Sequence, residues 1–305
     1  MKRVLVVCYS QTGQLRRCAE SLVAPLRDDP DVAVTFVEPE PESPYPFPWG
    51  LRAFLGVFPE SVLGEPPRLK PLALESAGTY DLVVLCYQPW FLSPSLPVVG
   101  FLASPAADVL RGAPVVVLCT CRNMWQRAWL ELRRQVEARG GRVIDHLVLE
   151  DQGPDWTTFY ATPRWLLTGK KEGGPFPPAG VSERDIAALR RPGERILGAL
   201  LSGQLAGSIF ARTGEKTVIV KGRYLIPEMA AKALFRLWAR GIRSAGARFP
   251  GLRYPLGMLW FAWLVASLPL MPLFIIAGVA LRVLRPAWHR ARIAELAEPS
   301  GGWVQ

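Results

Sequence analysis

The chain reads as an α/β protein: a doubly wound five-stranded parallel sheet followed by a C-terminal helical, membrane-associating extension. Three observations predict this. Five β-branched apolar runs recur with helical stretches between them, the first run breaks directly into a polar loop, and the last third is basic around a long uncharged apolar segment. With 305 residues, half of them hydrophobic, the chain is long enough for one well-buried core plus an appended segment.

The apolar runs cover residues 4–9, 32–37, 81–87, 115–120 and 143–149. Near-continuous apolar composition indicates strands buried on both faces, as in a parallel sheet covered by helices. After the first run come Ser10, Gln11, Thr12, Gly13 and Gln14, and a helix is expected from about Leu15. The hydroxyls, the Gln14 amide and the free N–H groups of a first helical turn can converge on one phosphate. An ordinary strand, turn and capped helix would use the same residues.

The second connection, 38–71, is dense in proline and carries Trp49, Phe54 and Phe58. A short amphipathic helix over 50–58 inside a long surface insertion is expected, its aromatics either packing in the core or forming the lip of an apolar pocket. Residues 125–139 form an amphipathic helix with Leu130 and Val136 turned inward and Arg127, Arg133 and Arg134 outward, ended by Gly140 and Gly141. Beyond Leu149 a Gly- and Pro-rich loop holds Trp156, Phe159, Tyr160, Arg164 and Trp165, a composition that suits a cover rather than a solvated linker. One or two helices over 182–204 and an extended piece at 216–221 follow, then a basic amphipathic helix over 228–243 expected to lie on a lipid surface.

Residues 254–281 contain no charged side chain and are long enough to meet a bilayer. Pro269 and Pro272 sit at the middle, and Arg248 and Arg253 before the segment mirror Arg282 and Arg285 after it. A kinked, re-entrant hairpin keeps both basic clusters in the cytoplasm, whereas a single span forces one outward. Charge follows the same division: residues 1–181 carry 18 Lys and Arg against 19 Asp and Glu, whereas 182–305 carry 18 against 7. Because the basic residues flank lipid-like sequence, the expected partners are membrane lipid and a hydrophobic small molecule, not nucleic acid. The five cysteines show no CxxC spacing and no neighbouring histidine, so buried thiols are expected rather than a metal site. The organisation is then 1–152, an anion-binding α/β domain; 153–227, an aromatic cover with helices; and 228–305, the basic helix with the apolar segment.

Ligands of open parallel sheets bind beyond the carboxyl ends of the strands. Three loops meet there: 10–15, 88–97 (QPWFLSPSLP) and 121–125 (CRNMW). Arg122 and Asn123 in the last of these, with Tyr160 and Arg164 of the aromatic cover, are the candidates for polarising a substrate or handling a proton.

SQTGQ after the first strand resembles the phosphate loop of flavodoxins, and QPWFLSPSLP resembles the third-strand loop of flavodoxin-like quinone reductases, over about residues 1–150. The resemblance implies FMN, with its phosphate on Ser10, Gln11, Thr12, Gly13, Gln14 and Leu15 and its ring against Pro89, Trp90, Phe91, Thr120, Cys121 and Arg122. Leu15 stands where flavodoxins have Thr, which removes one hydroxyl contact. YSQTGQL, TPRWLLTGKK and the hydrophobic basic tail together make the chain similar, nearly end to end, to the dialkylresorcinol condensing enzymes. That implies an FMN-dependent aromatase oxidising an alkylated cyclohexanedione to a resorcinol beside a separate ketosynthase; the charge pattern places it at the cytoplasmic face of a membrane, and an acyl carrier protein and a second copy of the chain are the further candidate partners. Condensation itself would need an activated Cys with His, and the chain has only His146 and His289, both read as structural. A membrane-associated NAD(P)H:quinone reductase and a non-catalytic flavodoxin-like electron carrier are the alternatives, as is a scaffold that has lost FMN. Carriers are usually acidic and compact, unlike this chain.

Overall fold

Alternating strands and helices build the sheet in the order the apolar runs predict. The computed structural model describes residues 1–72, 74, 80–155 and 157–304, without the side chains of 158, 159, 303 and 304. Strand β1 (Lys2–Cys8) leads into α1 (Gln14–Asp28), β2 (Val32–Val37), α2 (Leu51–Leu63) and β3 (Leu82–Tyr87). A two-rung hairpin, β4 (Pro89–Trp90) and β5 (Ser93–Pro94), precedes α3 (Leu96–Ala103), β6 (Pro114–Cys121), α4 (Gln126–Ala138) and β7 (Arg142–Glu150). The main sheet is parallel with order β2-β1-β3-β6-β7 and registers such as Val6 on Val84 and Leu85 on Val117. Numbered along its five strands this is the 2-1-3-4-5 order of the flavodoxin-like fold, whose order reverses between β1 and β3. The fold class read from the sequence is the one observed.

Side chains alternate between two cores. Val4, Val6, Cys8, Val84, Cys86, Val116 and Leu118 face α1, α6 (Glu183–Ala188), α7 (Arg190–Leu201) and α8 (Ile209–Thr213). Leu5, Val7, Val83, Leu85, Val115 and Val117 face α3, α4 and the C-terminal residues Val218, Val220, Leu225, Ile293 and Leu296. Residues 216–221 contribute only a short strand, β8 (Ile219–Val220), paired in parallel with β9 (Trp303–Val304). His146 lies buried on Trp129, ring centroids 3.9 Å apart, and burial pushes its imidazole down to about 3, so it is a neutral packing group.

The C-terminal half departs from its sequence reading. Helix α9 spans Leu225–Arg248 and buries Glu228 and Lys232, so it is not a surface helix with every charge outward. The apolar segment forms α10 (Arg253–Ser267) and α11 (Met271–Leu284), joined by a 3-10 turn over Leu268–Leu270, and α12 (Pro286–Ala297) follows. The prolines do not fold this segment into a hairpin. Pro269 and Pro272 occupy opening positions of the turn and of α11, where proline is tolerated, so the run Pro250–Leu284 stays helical through the turn instead of reversing. It returns antiparallel along α9: Gly246 meets Arg253 at one end, and Gly278 meets Arg223 and Ile226 at the other. Helix α2, longer than expected, closes a third core in which Phe58 stacks on Trp260 at 3.5 Å, with Phe235, Ala239 and Ile242 of α9 around them.

Glu228 docks α9 onto the sheet layer by accepting the Arg127 N–H at 2.9 Å, serving the start of α4, which has no side-chain cap of its own. Burial pushes this carboxyl up to about 8, against the pull of the Arg127 and Gln126 amides. Its folded pKa therefore lies above the ordinary 4.5, so its contribution is fully present below that pH and lost as pH rises through about 8. Glu228→Gln is expected to melt increasingly above wild type between about pH 5 and about pH 9; a gap that does not change with pH would show that Glu228 is ionised throughout.

Candidate functional site

A cavity of about 620 Å³ opens at the carboxyl edge of the sheet, beside the reversal between β1 and β3. The loops after β1, β3 and β6 form its floor. Gln11, Thr12 and Gln14 line it, as do Pro89, Trp90, Phe91, Thr120, Cys121 and Arg122. The three predicted loops are therefore brought to one place.

The loop after β1 leaves some of its donors unpaired and commits others to the protein itself. Gly13 takes φ +78° to start α1, and helix geometry leaves the first-turn N–H groups without intrahelical acceptors. Ser10 Oγ is buried and makes no hydrogen bond among the described residues, and Thr12 Oγ1 accepts the Gln14 N–H at 3.4 Å. The two glutamines have other work. Gln11 accepts from the Tyr9 hydroxyl at 3.1 Å and donates to the Pro46 carbonyl at 2.8 Å. Gln14 exchanges two hydrogen bonds with the Val181 backbone, at 3.1 and 3.0 Å. Each glutamine thus clasps one covering segment, Gln11 the proline-dense insertion and Gln14 the end of the aromatic cover. The Leu15 side chain is fully buried under the sheet, so only its backbone faces the loop.

Both covers supply walls. Trp49 and Phe54 of the insertion both line the cavity and pack, Trp49 buried and Phe54 against the third core, while Phe58 lies in that core. Trp49 also stacks on Tyr45 at 6.1 Å and meets Trp90 edge-on at 5.2 Å. From the aromatic cover, α5 (Thr158–Thr168) contributes Thr162, Pro163, Trp165 and Leu166. Tyr160 and Arg164 are not among the lining residues. Tyr160 is half exposed with its ring on Phe176, and Arg164 bonds the Lys170 carbonyl at 3.3 Å, because both sit on the outer face of α5. Trp156 and the Phe159 side chain lie outside the described residues.

Arg122 stands at the cavity wall, and burial pushes its guanidinium down to about 10, countered by Tyr224, Asp151 and Asp155, so it stays charged at neutral pH. Asn123 turns away: it is buried and donates to Asp155 at 3.4 Å. Asp155 also receives Lys221 at 3.1 Å, Arg223 at 2.6 Å and the Tyr224 hydroxyl at 2.6 Å. Burial works against its ionisation, yet these hydrogen bonds together hold it below the usual carboxylate range.

Asp151, at the end of β7, is a lining residue absent from the sequence-derived set. Its position as a carboxylate at a strand's carboxyl end was the available signal. It accepts the Gly180 N–H at 2.6 Å and the Gly153 N–H at 2.9 Å, and burial raises its pKa. Gln88, also missed, puts a buried side-chain amide nitrogen on the cavity with no hydrogen bond among the described residues. The far wall is apolar and comes from the C-terminal half: Ala230, Leu234 and Phe235 of α9, then Phe261, Leu264, Val265, Leu268, Leu270, Met271 and Phe274.

No family model and no curated protein matches this chain. Among solved structures it is similar to a flavoprotein of Lactobacillus acidophilus in complex with FMN, at 17% identity over 48% of this chain and 93% of that one, with a TM-score of 0.39. A WrbA-like flavodoxin of Agrobacterium tumefaciens matches at 11% identity over 66% and 99%, TM-score 0.38. The two-electron reduced flavodoxin of Megasphaera elsdenii matches at 18% over 48% and 84%, TM-score 0.29.

The clasp on the aromatic cover is testable at Gly180. Its φ of +87° suits glycine, and an added Cβ would lie 2.5 Å from Gln14 Oε1 and 2.9 Å from the Trp165 ring. Gly180→Ala is expected to cost about 1–2 kcal/mol from the left-handed backbone alone, and to speed proteolytic nicking within 153–179. Unchanged nicking would mean that the cover is held elsewhere.

Proposed function

We propose that this chain is an FMN-dependent oxidoreductase acting on a hydrophobic ring compound delivered from a membrane, and that its reaction is the oxidation of an alkylated cyclohexanedione to a resorcinol. One observation carries the reading: a single cavity runs from the anion-binding loop to the long apolar helix. Leu234, Val265 and Leu270 line it and are also 38%, 50% and 49% exposed, so its mouth opens on an apolar outer face.

The residues present fit FMN. The free Ser10 hydroxyl, the Thr12 hydroxyl and the first-turn amides of α1 would hold the phosphate, and the Gln88 amide, Trp90 and the backbone around Thr120 and Cys121 would meet the ring. Bound there, the flavin supplies a two-electron acceptor. The chain supplies the rest. Arg122 holds a ring oxygen as it gains negative charge, and Asp151, its pKa raised by burial, stands at the same wall to take a proton. The apolar wall excludes water and takes alkyl chains, which a separate ketosynthase working from an acyl carrier protein would have built.

The exposed stripe Leu273, Ile276, Val279 and Val283, each more than half exposed, continues the cavity mouth along α11 and would rest in the bilayer, with Arg282 and Arg285 at the headgroups. Such a placement admits substrate without passage through water.

Purified in detergent, the protein is expected to show the absorption spectrum of bound FMN; a colourless preparation that FMN cannot reconstitute overturns the proposal. Anaerobic addition of a dialkylcyclohexanedione should bleach the flavin, whereas bleaching by NADPH alone identifies a quinone reductase instead. Replacing all four stripe residues with Ser is expected to abolish co-sedimentation with anionic vesicles while the yellow colour persists. Vesicle binding that survives these changes would place the lipid contact on another face.

A further inference from the structure

The third-strand hairpin carries Trp90 into the cavity, and its turn is the most strained backbone described. Phe91 and Leu92, the two residues between β4 and β5, have φ of +49° and +61°. Two-residue turns of this shape ordinarily use Asn or Gly, because other side chains resist the left-handed region. Such strain persists only where the surroundings over-determine it.

Here the surroundings come from the C-terminal half. Lys232 of α9 is 1% exposed and spends its three donors on the Leu92 carbonyl at 3.1 Å, the Ser93 hydroxyl and Glu131 at 3.0 Å. The Phe91 ring is gripped beside it, 5.8 Å from Trp260 of α10 and 4.9 Å from Phe54 of α2. The elements that fix the turn are thus the same ones that border the apolar outer face.

We infer that Lys232 is a positioning residue: it holds the Phe91–Leu92 turn left-handed, thereby setting Trp90 against the flavin and tying the geometry of the cofactor loop to the docking of the C-terminal helices. The inference rests on the FMN reading for its consequence, though not for the clamp itself.

Lys232→Met tests it. Glu131 keeps Arg236 at 2.7 Å, so the variant leaves no unpaired buried carboxylate and should fold. In apoprotein, hydrogen exchange at residues 90–93 is expected to rise at least tenfold in the variant, and in FMN titrations followed by flavin fluorescence the dissociation constant should rise about as much. Adding Leu92→Gly to Lys232→Met supplies a residue that takes positive φ without a clamp, and is expected to recover most of the FMN affinity. Affinity lost in Lys232→Met but not recovered in the double variant overturns the positioning role, as does unchanged exchange in the apoprotein. Should wild type bind no FMN, the flavin reading falls, and the apoprotein exchange still decides the clamp.

Discussion

The arrangement depends on two ionisable side chains of one helix entering the interior of the α/β layer. Glu228 and Lys232 lie one turn apart on α9 and are almost fully buried, one at the start of α4 and the other on the third-strand turn and Glu131. Removing charge from water is costly unless each group is met by partners in good geometry. A helix that slid or rotated would strand both groups, so the pair fixes α9 in register and orientation more sharply than apolar packing could. Everything C-terminal inherits that placement: the Phe58–Trp260 stack, the far wall of the cavity and the run of α10 and α11.

An open parallel sheet leaves its carboxyl edge as a crevice with a floor and no roof. This chain roofs it three times, and each roof is attached to a floor loop by polar contacts. Gln11 holds the proline-dense insertion, Gln14 and Asp151 hold the aromatic cover, and Lys232 holds the helical extension to the hairpin. Hydrogen bonds to charged groups and to buried backbone are directional, whereas the apolar lining is not. The walls are consequently positioned by a few polar contacts and filled by many apolar ones.

What was legible in the sequence follows from this difference. Strand runs such as 82–87 and the helix at 125–139 declare themselves because burial and periodicity are local properties. The strand, polar turn and helix start around residues 8–15 were legible for the same reason, since they are consecutive. The duties of its glutamines were not, because Pro46 and Val181 lie far along the chain and no local pattern marks an amide that will clasp a distant backbone. Tyr160 and Arg164 carried the right chemistry, but α5 turns them outward and presents Thr162 and Trp165 instead, a half-turn that composition cannot reveal. Nothing in the sequence marks Lys232 and Glu228 as buried, since burial of an ionisable group is decided by its partners.

The same docking bears on how the apolar helix would meet a membrane in the proposed reading. Its length and composition suffice to cross one, and nearly all of it lies outside the protein interior. Crossing, however, would require α10 and α11 to stand clear of the α/β layer, and they are fastened along α9 from Gly246–Arg253 to Gly278–Ile226. Arg253 adds an ion pair to Glu60 at 2.5 Å on α2. A perpendicular placement would carry α9 into hydrocarbon together with the exposed Arg240 and the ion pairs of Arg236 with Glu131 and Arg243 with Glu65, at a cost of roughly 2.5–3.5 kcal/mol for an arginine held near the bilayer centre. Lying flat would avoid that cost, because α9 would stay above the hydrocarbon while Leu273, Ile276 and Val279, exposed in the structure, would enter the acyl boundary. Length therefore licenses a span, but the fastening to α9 favours a helix that lies along the surface with the cavity mouth beside it.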